Sequence, residues 1–220
     1  NQRELNQAQI RMLQAQLNPH FVCNTLDTMK WISKINQVPQ VAVMSTDLAD
    51  ILRFCISPEE FVPLRREAEI LQRYMETQHI RMSGAISFRL DLPEELADCL
   101  TPKMILQPLV ENAVLHAEGM TRLTLRVFTL GDHAIFEVSD DGCGIPKERL
   151  KGLFTRMLPA DDTASPGKHG MGIGLAVCAA IVKAHGGEIK AESRPGEGTT
   201  IRFWLETEST DESTDLEENI

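Results

Sequence analysis

The chain has 220 residues, with 22 Lys and Arg against 32 Asp and Glu and a formal charge of −10. That balance argues against direct nucleic-acid binding, which needs a basic footprint. The length suffices for one large domain or two small ones, each with a real hydrophobic core.

Residues 3 to about 36 carry apolar side chains at helical spacing: Ile10, Leu13, Leu17 and Phe21, then Leu26, Met29 and Ile32. Pro19 falls inside this pattern, where a missing N–H and a ring clash cost about 3 kcal/mol. A second helix is predicted over 39–56, and "SPEEFVP" breaks the pattern with Pro58 and Pro63. Two such helices make an antiparallel hairpin whose apolar face needs a partner, which a second copy in a four-helix bundle supplies. A third helix follows over 64–82, a strand in "AISFRLDL" and a helix over about 102–116. The strands "RLTLRVF" and "AIFEVSD" flank Gly131-Asp132 as a hairpin. The stretch 143–169 has no clear period, and a helix over 172–185 stops at Gly186-Gly187. The strands "GEIKAES" and "TTIRFWL" complete an α+β layer, one mixed sheet covered by helices on one face.

Past the last strand, seven acids and no Lys or Arg lie between Glu206 and Ile220, so 207–220 reads as an acidic disordered tail. Three segments are therefore expected: a helical hairpin over 1–60, an α/β domain over 61–206 and the tail. Cys23, Cys55, Cys99, Cys143 and Cys178 stand more than thirty residues apart, which suits neither a zinc site nor a disulfide framework and points to a reducing compartment. No apolar run approaches the roughly 20 residues of a membrane span, and no signal-peptide pattern is present. The opening "NQRELNQAQIRML" begins in mid-helix, as in a piece of a longer protein.

Three clusters carry chemistry. "QPLVENAVLHA" sets Glu111, Asn112 and His116 on an otherwise apolar helix, with Asn112 and His116 one turn apart on one face. "DDGCGIP" places Asp140 before Gly142 and Gly144, a carboxylate beside closely approaching backbone. "GMGIGL" opens a helix with Gly170, Gly172 and Gly174, where amide groups and the helix dipole favour an anion. Singly, each has a plain structural alternative: a polar residue at a sheet edge, a basic residue at a helix C-terminus, an ordinary turn. The spacing matches neither the P-loop nor the dinucleotide fingerprint.

In this order, the clusters resemble the Asn box and two glycine boxes of the Bergerat ATP-binding fold of histidine kinases, type II topoisomerases and Hsp90-type chaperones. "LNPHFVCNTLDTMKWI" resembles the phosphoacceptor helix of the LytS/YesM-like sensor histidine kinases, and the similarity runs from about Gln14 to Leu205. The resemblance implies ATP and Mg²⁺ as cofactors, His20 as phosphoacceptor and Asn112 as the Mg²⁺ ligand. Asp140 is then the acceptor for the adenine amino group, with Gly142 and Gly144 shaping the pocket and Thr199 lining it. Gly170, Gly172 and Gly174 cradle the phosphates, His116 is a phosphate contact, and 143–169 is the ATP lid. Pro19 would bend the helix and expose His20, with Asn24 one turn later on the same face. Glu111 is the candidate base for the His20 proton, the alternative being a water-mediated metal or loop contact. The sequence departs from the family at Cys23, where an aromatic residue is usual, and in its long lid with "ASPGKHG".

The expected activity is autophosphorylation of His20 and transfer to an aspartate of a response-regulator receiver domain. The expected setting is a homodimer on the cytoplasmic side of a bacterial inner membrane, attached through an upstream sensor segment absent from this chain. The alternatives are an ATP-hydrolysing clamp or a degenerate nucleotide-binding scaffold. A clamp places a water-activating Glu four residues before the Asn; here Pro108 stands there.

Overall fold

The computed structural model describes residues 19–82, 84–155 and 174–206. Residues 3–18 of the first expected helix, Gly170, Gly172 and the acidic tail lie outside them. The described residues form two compact units, one running to residue 87 and including 100–104, the other holding 88–99 and everything from 105. The expected boundary fell after residue 60.

The first unit opens with α1 (Pro19–Ile35) and α2 (Pro39–Ile56). A short turn joins them, with Gln37 at φ 56°. Pro39 sits at the start of α2, where its fixed φ suits a first helical turn and its absent N–H costs nothing. Small residues line much of the buried seam, including Cys23 and Ser33 on α1 and Ala42, Ser45 and Ala49 on α2. Phe21, Trp31, Ile32 and Ile35 on α1 and Val43, Leu48 and Ile56 on α2 remain exposed.

After β1 (Phe61–Pro63), α3 (Leu64–Arg81) lies against α2. Ile51, Phe54, Val62 and Ile70 make the shared core. Arg73 ties the two helices by pairing with Asp47 and Asp50, each at 3.2 Å. β1 pairs antiparallel with β3 (Leu100–Pro102), a ribbon where the sequence suggested only a break and the start of a helix.

The helix expected from about residue 102 begins instead at Gln107. Two contacts explain the delay. Met104 adopts φ 63°, outside the helical region. Its N–H is held by the carboxylate of Glu67, a residue of α3 only 2% exposed. Beside it, the Lys103 ammonium donates to the carbonyls of Cys55 and Ser57, a cation at the negative end of α2.

The second unit is one sheet in the order β2 (Ser87–Asp91), β4 (Arg122–Leu130), β5 (His133–Asp140), β7 (Gly198–Glu206), β6 (Ile189–Arg194). It is the mixed sheet of an α+β fold. Alternation along the strands sorts the side chains. Leu123, Leu125, Val127, Phe136, Val138, Ile201, Phe203 and Leu205 are buried, with the Phe136 and Phe203 rings stacked 4.5 Å apart. The covering helices are α4 (Gln107–His116) and α6 (Gly174–Ala184), which pack on each other and bury Leu109, Val110 and Ala113 with Leu175, Cys178 and Val182. A short helix, α5 (Lys147–Leu150), interrupts the stretch expected to be irregular. The Gly131-Asp132 hairpin and the Gly186-Gly187 stop fall where the sequence placed them.

Candidate active site

The site elements all belong to the second unit. On α4, Glu111 and Asn112 are half-buried neighbours, and His116 is exposed in the last turn, where a cation is favoured. The Gln107 amide donates to Glu111 Oε1 at 2.7 Å across one helical turn. Gln107 Oε1 is buried without a hydrogen-bond partner among the described residues.

Asp140 ends β5, and its carboxylate accepts the Gly142 N–H at 2.9 Å. Burial raises its pKa above the ordinary carboxylate value, against the lowering effect of the Gly142 and Thr199 N–H groups. The glycines that follow have no room for a side chain. A Cβ on Gly142 would lie 2.6 Å from the Cβ of Ala117, just past α4. Gly144 combines φ +70° with a place where a Cβ would sit 2.0 Å from the Arg194 carbonyl oxygen. The 140–144 loop is thus pressed between the end of α4 and the β6–β7 turn.

Thr199 faces Asp140 across the β5–β7 ladder and is buried. Its hydroxyl lies 3.0 Å from Ser193 Oγ. Ser193 also donates to the Gly198 carbonyl at 2.8 Å and accepts the Ile145 N–H at 2.7 Å. This serine fastens the chain leaving the glycine loop to the last hairpin. On the other side, Asp141 accepts the N–H groups of Thr121 and Arg122, both at 2.8 Å, and the Thr121 hydroxyl at 2.7 Å. Burial opposes its ionisation, but these donors prevail and hold its pKa below the ordinary value. Neither Asp141 nor Ser193 was singled out in the sequence. The doubled acid of "DDG" was a usable signal for the first, whereas Ser193 has no local one.

Gly174 is the first residue of α6 and is exposed; a Cβ there would come 3.3 Å from Pro108 Cβ, so the N-terminal ends of α4 and α6 adjoin. The structure therefore brings together Glu111, Asn112, His116, Asp140, Gly142, Gly144, Gly174 and Thr199 within one unit. His20 occupies the first turn of α1, in the other unit, and Asn24 is exposed one turn later. Whether Pro19 bends a longer helix concerns residues outside those described.

A half-buried acid at a strand end, followed by one glycine against the end of the covering helix that carries Asn112 and another against the β6–β7 turn, fits a Bergerat-type ATP-binding fold. Residues 97–209 match the family described as histidine kinase-, DNA gyrase B- and HSP90-like ATPase, and residues 8–86 match the histidine kinase family. The chain belongs to the histidine kinases, and this membership carries ATP use with it. It is 40% identical over 120 residues to the sensor histidine kinase YesM of Bacillus subtilis, covering 54% of this chain and 21% of that protein. It is 29% identical over 208 residues to the sensor protein LytS of Bacillus anthracis, covering 90% and 34%. Against the sensor histidine kinase BtsS of Escherichia coli, it is 30% identical over 155 residues, covering 68% and 28%. The chain thus spans between about a fifth and a third of these relatives. The solved catalytic domain of the histidine kinase ThkA superposes with a TM-score of 0.51 at 20% identity, covering 68% of this chain and 99% of that one, which speaks to the fold alone.

Proposed function

We propose that the chain is the catalytic part of a sensor histidine kinase, in which ATP held by the second unit phosphorylates His20. The observation that carries this reading is the Asp140 carboxylate. It is half-buried and fixed by two backbone donors, yet a carboxylate has about four acceptor sites. Capacity remains to accept the exocyclic amine of adenine, with Thr199 and Gly142 walling the pocket. The N-terminal end of α6 at Gly174 suits the phosphates, and Gly170 and Gly172 of the same sequence motif are proposed to join it there. His116 lies on the Asn112 face of α4 as a further phosphate contact.

Asn112 fits a magnesium site in which nucleotide phosphates supply most of the ligands. Among the described residues no group of three or more His, Cys, Asp or Glu could hold a metal, and Mg²⁺ commonly relies on one or two protein ligands plus phosphates and water. Mg²⁺ would supply charge neutralisation on the transferring phosphate.

The His20 imidazole attacks the γ-phosphorus in line through an unprotonated ring nitrogen. Glu111 takes the imidazole proton as the N–P bond forms, and ADP leaves. Asn24, exposed on α1 one turn from His20, assists by holding the imidazole. An aspartate in the receiver domain of a response regulator then accepts the phosphoryl group. The exposed apolar residues of α1 and α2 support a homodimer through a four-helix bundle. The sensor names of the longer relatives support placement on the cytoplasmic side of a bacterial membrane, below a sensor segment; no described helix is long and apolar enough to cross a membrane itself. The clamp reading is disfavoured because Pro108, four residues before Asn112, cannot act as a base.

The test is incubation with γ-labelled ATP. Acid-labile label on the protein is expected, absent in His20→Gln while ATP affinity stays within about twofold, because the two functions reside in different units. Label at the wild-type level in His20→Gln rejects the assignment, and free phosphate without protein label favours a clamp. Light scattering should give a dimer at micromolar concentration; a monomer removes the bundle.

A further inference from the structure

Gln107 is a poor choice for packing. It is 7% exposed at the start of α4, and its carbonyl oxygen has no partner among the described residues. An unpaired buried acceptor forfeits its hydration without return, whereas an apolar side chain of the same shape carries no such penalty. What Gln107 offers in exchange is one N–H, donated at 2.7 Å to Glu111 Oε1. The two residues stand four apart on one helix, where side chains meet. Glu111 is half-buried, and a proton acceptor works only when held close to its productive position.

We propose that Gln107 is a positioning residue for phosphoryl transfer, locking Glu111 in the orientation from which it receives the His20 proton. This rests on the reading of Glu111 as the base. In the step concerned, the bond from the γ-phosphorus to the ADP oxygen breaks as the bond to the imidazole nitrogen forms, and ADP departs with the electron pair. The imidazole N–H proton moves to the Glu111 oxygen not engaged by Gln107. Gln107 gives up no proton; its N–H remains on Oε1 before and after.

The test uses the full 220-residue chain and the variants Gln107→Met and Gln107→Leu, alone and combined with Glu111→Gln. The readouts are melting temperature, ATP affinity and the rate of His20 labelling at saturating ATP. Both apolar variants are expected to melt at or above the wild-type temperature and to bind ATP within about twofold. Their labelling should be about tenfold slower, as for loss of one orienting contact to a base. A purely structural glutamine would not separate rate from stability in this way. In the Glu111→Gln background the Gln107 substitutions should cost nothing further, because both act through one group.

The proposal is overturned if the Gln107 variants label at the wild-type rate. It is also overturned if they melt lower or fail to fold, if ATP affinity falls in step with rate, or if the two defects multiply. Slow labelling in Gln107→Met beside normal labelling in Glu111→Gln would likewise place the glutamine's effect elsewhere. The two failures are told apart by Glu111→Gln alone: slow labelling there beside wild-type rates in the Gln107 variants removes only the positioning role, whereas a wild-type rate there removes the reading of Glu111 as the base and the positioning role with it.

Discussion

Gly142→Ala probes the contact that sets the Asp140 loop against α4. The added Cβ would sit 2.6 Å from Ala117 Cβ and 3.0 Å from the Ala117 backbone, whereas carbon atoms in favourable contact stand about 3.5–4.0 Å apart. The loop must therefore retreat by roughly 1 Å. Overpacking of this kind costs about 1–3 kcal/mol, which for a chain of this size lowers the melting temperature by about 2–12 °C. The same retreat carries Asp140 away from the adenine position. Losing a hydrogen bond there, at about 1–3 kcal/mol, weakens ATP binding by roughly 5- to 150-fold. Ala117→Gly removes the nearer obstacle, and Ala117 is already outside the helical conformation (φ −81°, ψ 77°), so glycine is inexpensive there. The double variant should recover part of both losses, measured by thermal unfolding and by titration with ATP. A neutral Gly142→Ala, or a double variant no better than the single, would refute the reasoning. Gly144→Ala is the control: its obstacle is the Arg194 backbone carbonyl, so Ala117→Gly should not help it.

Burial raises the pKa of Asp140, so in the free protein the folded state holds this proton more tightly than the unfolded chain does. Its contribution to stability is therefore greatest below the ordinary carboxylate pKa and declines as the pH rises to the raised one. ATP binding runs the opposite way, because an amino donor bonds more strongly to the ionised carboxylate than to the neutral acid. Affinity should drop as the pH falls through the raised pKa, and calorimetry in buffers of different ionisation heat should detect proton release on binding; an affinity that stays constant as the pH is lowered from neutral toward the ordinary carboxylate pKa would exclude Asp140. Asp140→Asn should flatten that profile and narrow a preference for ATP over GTP of about tenfold or more, and equal wild-type affinities for the two nucleotides would contradict the assignment. Glu67→Ala strips the Met104 N–H of its buried acceptor and should destabilise the first unit by about 1–3 kcal/mol in denaturant melts; an unchanged melt would show that the Met104 turn holds itself.

Local pattern made most of the fold legible. The α2 boundaries, the β4–β5 hairpin and the final pair of strands follow from periodicity and turn chemistry carried by the residues themselves. The errors cluster where one element is defined by a distant one. Nothing between Leu100 and Leu106 announces that Leu100–Pro102 pairs with Phe61–Pro63, or that a carboxylate from α3 holds Met104 out of the helical region. Apolar spacing alone therefore carried the expected helix about a turn and a half too far toward its N-terminus. The place of α3 is likewise set at long range: it reads as an independent helix, and its packing on Ile51 and Phe54 with the Arg73 pairs to Asp47 and Asp50 groups it with α1 and α2.

The site shows the same split between short-range and long-range information. Asp140, Gly142 and Gly144 could be picked out because a motif confines them to five positions. What keeps them in place is remote: Ala117 beneath Gly142, the Arg194 carbonyl against Gly144, Ser193 on Ile145, and Thr121 with Arg122 on Asp141. These partners come from two remote stretches of the chain, residues 117–122 and 193–194. Each supplies a backbone group, a small side chain or a hydroxyl, chemistry too common to stand out in a sequence. Together they hold the loop from both sides, so Asp140 can remain half-buried, where its hydrogen bonds discriminate most strongly. It follows that substitutions at Ser193 or Thr121 should weaken nucleotide binding without touching nucleotide. Ser193→Ala is the sharper case. It removes the acceptor of the Ile145 N–H and the donor to the Gly198 carbonyl at once. A loss of ATP affinity about as large as that of Gly142→Ala is expected, with the preference for ATP over GTP reduced because Asp140 no longer has a fixed position. If affinity falls while that preference is kept, Ser193 supports only the chain beyond Ile145, and the two-sided clamp on Asp140 is wrong.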